Sequence, residues 1–97
     1  MTVYIVAQLR FTHKARYMLY QSQFGKVFSQ FGGQLLCADE NPRVLEGQWE
    51  RDKIVIMSFT NDVQARVFLE SSEYAKITKN RVAGAQTFSL LVNGLAS

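Results

Sequence analysis

Residues 53–59 read KIVIMSF, and both alternating sets of this run are apolar: Val55, Met57 and Phe59 on one side, Ile54 and Ile56 on the other. Successive side chains of a strand point to opposite faces. Such a strand therefore needs cover on both sides, which makes it a central strand of a sheet. A chain of 97 residues has room for one hydrophobic core. Helices can cover one face of the sheet, and something else must cover the other.

The remaining elements follow from periodicity. Residues 2–9, TVYIVAQL, are rich in β-branched and aromatic residues and predict a first strand. Tyr17, Tyr20, Phe24, Val27, Phe28 and Phe31 recur at spacings of three and four, one face of a helix. Thr12 is its expected N-cap and Gly32 its expected left-handed stop. Gly25, inside the helix, is expected to be compensated by close packing on a strand. QLLCA predicts a second strand that enters a loop at residues 39–43, around the only proline, Pro42. The strand is expected to resume as VLEGQW and turn at residues 50–52 into KIVIMSF. Asn61 or Asp62 is expected to cap a short helix with Val63, Ala65, Phe68 and Leu69 inward, and Ser72 a second with Tyr74 and Ile77 buried. TFSLLV predicts the last strand, with NGLAS fraying after it.

The order β-α-β-β-α-β is the ferredoxin-like pattern: an α+β fold, one domain over residues 1–97, with a four-stranded antiparallel sheet and helices on one face. Alternation assigns Val3, Ile5, Ala7, Leu9, Leu35, Cys37, Val55, Met57, Phe59, Phe88, Leu90 and Val92 to the helix side. The other set holds Tyr4, Val6, Gln8, Gln34, Leu36, Ala38, Ile54, Ile56, Ser58, Thr87, Ser89 and Leu91. About half of that second set is apolar, too much for a sheet face open to water. The expected cover is a second copy of the chain about a two-fold axis, seated on Tyr4, Val6, Gln8, Ile54, Ile56 and Ser58.

Composition removes several classes of function. One cysteine and one histidine are too few for a disulfide, an iron–sulfur cluster or a stable transition-metal site. No cofactor is expected. The absence of a long apolar run or a signal-peptide layout predicts a cytoplasmic protein with no membrane span. The net charge of +3 is dispersed. Strand three lacks the basic-Gly-aromatic pattern of RNA-recognition domains, so no nucleic-acid partner is expected.

YIVAQL at the start, the Tyr-bearing first helix, FGG before strand two, VLEGQW, and the SSEY helix start with Arg81 near its end occur in one order and spacing. In these the chain resembles the domain-of-unknown-function family numbered 1330, in the dimeric α+β barrel superfamily, over nearly its whole length. Ser72 stands where a proline is common in that family; either residue starts a helix. The resemblance implies the ferredoxin-like fold and a homodimer. Cofactor-free monooxygenases and isomerases among the superfamily supply only fold-level analogy.

The candidate ligand-binding residues are Tyr17, Glu46, Trp49, Tyr74 and Arg81; no catalytic residue is assigned. Glu46 beside an aromatic wall is a candidate general acid or base. Residues three apart on a regular strand face opposite sides, however, so Glu46 and Trp49 act together only if Gly47 marks a bulge. Inward tyrosines and Arg81 fit either core bulk or a pocket between helices and sheet. His13 lacks an orienting partner and reads as a surface residue, and Cys37 as an inert buried thiol. With no acid–base or nucleophile–base pair in view, the favoured function is a non-catalytic small-ligand-binding or interaction module. The alternative is a cofactor-independent enzyme acting on an apolar or aromatic metabolite.

Overall fold

The computed structural model describes residues 1–95. Seven elements follow one another: β1 (Val3–Phe11), α1 (Lys14–Phe28), β2 (Gln34–Asp39), β3 (Lys53–Phe59), α2 (Asp62–Leu69), α3 (Ser72–Gly84) and β4 (Ala85–Asn93). The sheet is antiparallel throughout, in the order β2-β3-β1-β4. This is the ferredoxin-like α+β arrangement that the element order predicts, with the second helical stretch divided in two. The chain measures 35 × 35 × 16 Å. With about 10 Å between packed layers, the thin dimension holds two layers and no third. One sheet face is therefore left open.

Each helix is started by a side chain that accepts from an orphan backbone N–H. His13 Nδ1 accepts from Arg16 N at 3.3 Å, Asn61 Oδ1 from Gln64 N at 2.8 Å, and Ser71 Oγ from Tyr74 N at 3.1 Å. Thr12 and Ser72 are thus each displaced as caps by a neighbour. For α1 the reason is tertiary: Thr12 N and His13 N both donate to Gly84 O, which fixes where the helix begins. That junction is tight, because a Cβ on Gly84 would fall against the backbone of Tyr17 and His13. Gly32 takes the expected left-handed conformation, φ +72°.

A knot of aromatic rings packs one end of the core. Phe28, Phe59 and Phe68 meet at centroid distances of 5.3 to 5.7 Å, with Phe24 and Phe31 alongside. Phe68 and Ala65 are fully buried. Val63 and Leu69, expected inward, are exposed at 69% and 41%. On this short helix the inward stripe is narrow, and Ala65 and Phe68 fill it.

Three sequence expectations about the strands are corrected. Residues 44–49 form no strand; residues 40–52 run as an irregular loop with Gly47 at φ +81°, which cannot continue a ladder. β2 is bulged between Leu35 and Cys37, so Cys37 pairs with Ile56 on the open face and Ala38 with Val55 on the helix face. An extra residue in a strand reverses every side chain after it. β4 is reversed outright: Leu9 pairs with Thr87, Ala7 with Ser89 and Val6 with Leu90. Thr87, Ser89 and Leu91 therefore lie on the helix side, and Phe88, Leu90 and Val92 on the open side. At the chain's end, Gly94 N donates to Thr2 O at 2.8 Å, so this part of NGLAS is tied to β1. Residues 96–97 of that expectation lie outside the described residues.

Candidate functional site

Three neighbouring rows on the helix side of the sheet follow from the register across the strands. Leu35, Met57, Ile5 and Leu91 form one, Ala38, Val55, Ala7 and Ser89 the next, and Lys53, Leu9 and Thr87 the last. The middle row is made of small residues, so the helices above it cannot fill the space. A cavity of about 410 Å³ lies there, between this floor and the inner faces of α1 and α3. Its volume falls within the usual range for small-molecule sites.

Gly25 lines the same cavity, and a Cβ built on it meets nothing within 4 Å. It makes no close approach to a strand, contrary to the sequence expectation; its missing side chain leaves the cavity wall open. Gly25→Ala should therefore stabilise the protein by about 1 kcal/mol through helix propensity alone. Thermal or urea denaturation checks this, and a loss of stability would show that the helix needs glycine there.

The polar groups of the cavity come from the helices and from the Lys53 row. Tyr17, Tyr20 and Tyr74 are buried, and the Tyr20 and Tyr74 hydroxyls share a hydrogen bond of 2.9 Å. Burial, reinforced by Glu40 and Tyr74 and opposed by Arg81, pushes the Tyr17 phenol up to about 12. Burial likewise holds Tyr20 well above the ordinary tyrosine value. These phenols are therefore proton-bearing donors at neutral pH. Arg81 Nη1 donates to Thr87 Oγ1 at 2.9 Å, while its Nε is buried with no protein acceptor.

Lys53 is buried at 4% exposure, the one buried charged residue among those described. Its Nζ donates to Gln21 Oε1 at 2.8 Å and stands 5.0 Å from the centre of the Tyr17 ring. Burial lowers its proton affinity below the ordinary lysine value; Glu40 opposes this and Lys14 adds to it. Glu40 also lines the cavity and is paired with Lys14 at 3.0 Å.

Tyr17, Tyr74 and Arg81 are thus brought together by the fold, whereas Glu46 and Trp49 are not. Glu46 is exposed on the irregular loop. Trp49 Nε1 donates to Gln8 Oε1 at 3.0 Å, and Gln8 belongs to the open face, across the sheet from the cavity. Lys53 was missed in the sequence because a lysine opening a strand reads as a solvated end. The only signal was its place in the same alternating set as Val55 and Met57. Tyr20 is among the inward tyrosines that the sequence offers for core bulk or for a pocket.

The open face carries its own rows. Cys37, Ile56, Val6 and Leu90 cross all four strands, with Asp39, Ile54, Gln8 and Phe88 on one side and Gln34, Ser58, Tyr4 and Val92 on the other. Leu90 is 63% exposed and Phe88 44%. The Arg51 guanidinium lies 4.2 Å over the Phe88 ring. Cys37 therefore sits on this face, half-buried, and is not the core thiol the alternation predicts.

The model of the domain of unknown function DUF1330 matches residues 2–95. The chain belongs to this family. No curated protein matches it. Among solved structures, the RPA0582 protein of unknown function from Rhodopseudomonas palustris superposes with a TM-score of 0.81 at 16% identity, covering 99% of this chain and 84% of that one. SnoaB, a cofactor-independent oxygenase from Streptomyces nogalater, gives 0.66 at 12% identity, covering 99% and 95%. A dimeric ferredoxin-like protein of unknown function from Thermobifida fusca gives 0.67 at 8%, covering 94% and 89%. At these identities the DUF1330 chain shares with them its fold.

Proposed function

We propose that this DUF1330 protein binds an apolar or aromatic small molecule in the cavity between sheet and helices, as a homodimer formed through the open sheet face. The observation that carries the reading is the coincidence of a small-residue floor with an unfilled Gly25 above it. A chain under pressure only to pack would place larger side chains at these positions, since a void forfeits contacts on every wall. The dimer rests on the apolar row through Ile56, Val6 and Leu90, flanked by mixed rows, which is the composition of an interface core with its rim. The Thermobifida fusca protein of the same fold is described as dimeric. Among the described residues no helix is long and apolar enough to cross a membrane; a half-buried free thiol fits a reducing, cytoplasmic compartment.

Thermal melting against a panel of aromatic and apolar metabolites tests the binding. A compound at 100 times its Kd adds about 2.7 kcal/mol of stability. Gly25→Leu, which adds bulk to a residue lining the cavity, should weaken that shift while leaving the fold intact. A shift undiminished in the variant would place the compound elsewhere.

A second reading, a cofactor-independent enzyme, is favoured by the lowered proton affinity of Lys53, which suits a proton-accepting group. SnoaB, of the same fold, is described as a cofactor-independent oxygenase. Chromatography of each bound compound after incubation in air decides between the two, since a ligand recovered unchanged leaves binding alone.

A further inference from the structure

We infer that the ligand of the cavity is an organic acid, an apolar or aromatic body bearing a carboxylate, and that Lys53 holds the acid group. The inference rests on the binding reading above and specifies it. Lys53 Nζ has three N–H donors and spends one on the neutral amide oxygen of Gln21. Among the described residues, the ion pairs join Lys14 to Glu40 and Arg66 to Asp62, and neither includes Lys53. Glu40, the carboxylate lining this cavity, is taken by Lys14. Glu40 acts on Lys53 only from beyond ion-pair distance, and a buried cation held by a neutral amide is unfavourable unless an anion joins it.

Arg81 repeats the pattern on a second wall. Its head group is fixed by a neutral hydroxyl, Thr87 Oγ1, and its Nε is buried without a protein acceptor. Thr87 and Lys53 both pair with Leu9, from opposite sides, so the two cations flank one row of the sheet. The buried phenols add donors. The walls thus offer ammonium, guanidinium and hydroxyl donors against a single, already paired carboxylate. Ile5, Ala7, Val55, Met57, Phe24 and Phe68 line the remainder, which suits the apolar body of the molecule. A neutral hydrocarbon would leave both cations uncompensated, and a multiply charged phosphate would waste the apolar walls.

Calorimetric titration with 2-naphthoate and with its neutral counterpart 2-naphthamide tests this on the wild-type chain. The acid is expected to bind about tenfold more tightly or better, the margin of a charge-assisted hydrogen bond. Lys53→Met should remove that preference, weakening the acid more than the amide. Near-UV circular dichroism establishes that the variant is folded, and the wild-type comparison stands without it. Equal binding of acid and amide to the wild type would overturn the anionic assignment while sparing the cavity. A preference unchanged in Lys53→Met would overturn the role of Lys53. Binding of neither compound at millimolar concentration would overturn the cavity reading and this one with it.

Discussion

Phe68→Ala should lower the unfolding free energy by about 3–5 kcal/mol, as for other large aromatics truncated in a core. Phe68 has no exposed surface. Its ring lies 4.4 Å from Tyr74, 5.3 Å from Phe28, and 5.6 Å from both Phe31 and Phe59, centroid to centroid. Truncation thus removes one partner from these four aromatic contacts and from a fifth, to Phe24 at 6.2 Å, and leaves a hole that rigid neighbours cannot close. The hole would also join the cavity between sheet and helices, because Phe68 forms part of its wall. Urea denaturation measures the loss, with Phe68→Leu as the milder companion. A loss below about 1 kcal/mol, the centre of the range for ordinary substitutions, would mean that this ring cluster does not bear the core.

Periodicity is enough to locate that cluster: the Tyr17-to-Phe31 stripe and Phe59 follow directly from spacings of three, four and two. What periodicity could not reach was register. The alternation rule sends the more apolar set of each strand toward the helices. In β4 the more apolar set, Phe88, Leu90 and Val92, faces the other way, and the bulge at Leu36 reverses the end of β2 as well. Both departures hide the cavity, since Ala38 and Ser89 belong to its floor only in the true register. They also understate the open face, which is more apolar than the alternation rule predicts.

The VLEGQW segment was legible as a family signature and opaque as a structure. Its residues alternate like a strand, yet Gly47 at φ +81° diverts the chain, and Trp49 returns to the sheet through Gln8 instead of through a ladder. Its role follows from that placement: Trp49 and Arg51 border the open face, beside Gln8 and Phe88. A residue that looks like a pocket wall in sequence thus belongs to the rim of the proposed interface.

The same face supplies the prediction with the largest effect on assembly. Wild-type protein should scatter light as a dimer, twice the 11.1 kDa of one chain, at micromolar concentration. Ile56→Asp should scatter as a monomer. Ile56 sits in the middle of the apolar row, between Cys37 and Val6. A carboxylate there would be withdrawn from water by association, at a penalty on the order of 3–5 kcal/mol. Two-fold symmetry puts one such carboxylate on each copy, so association should weaken by a factor of about a thousand or more. Lys79→Glu changes charge at an exposed position of α3 and should leave the dimer intact, which separates a local effect from one of net charge. In the wild type, moreover, the melting temperature should rise with protein concentration, as it does whenever folding and association are linked. Ile56→Asp should abolish that dependence. A monomeric wild type, or a dimer indifferent to Ile56→Asp, would mean that the apolar rows of the sheet answer to a different partner.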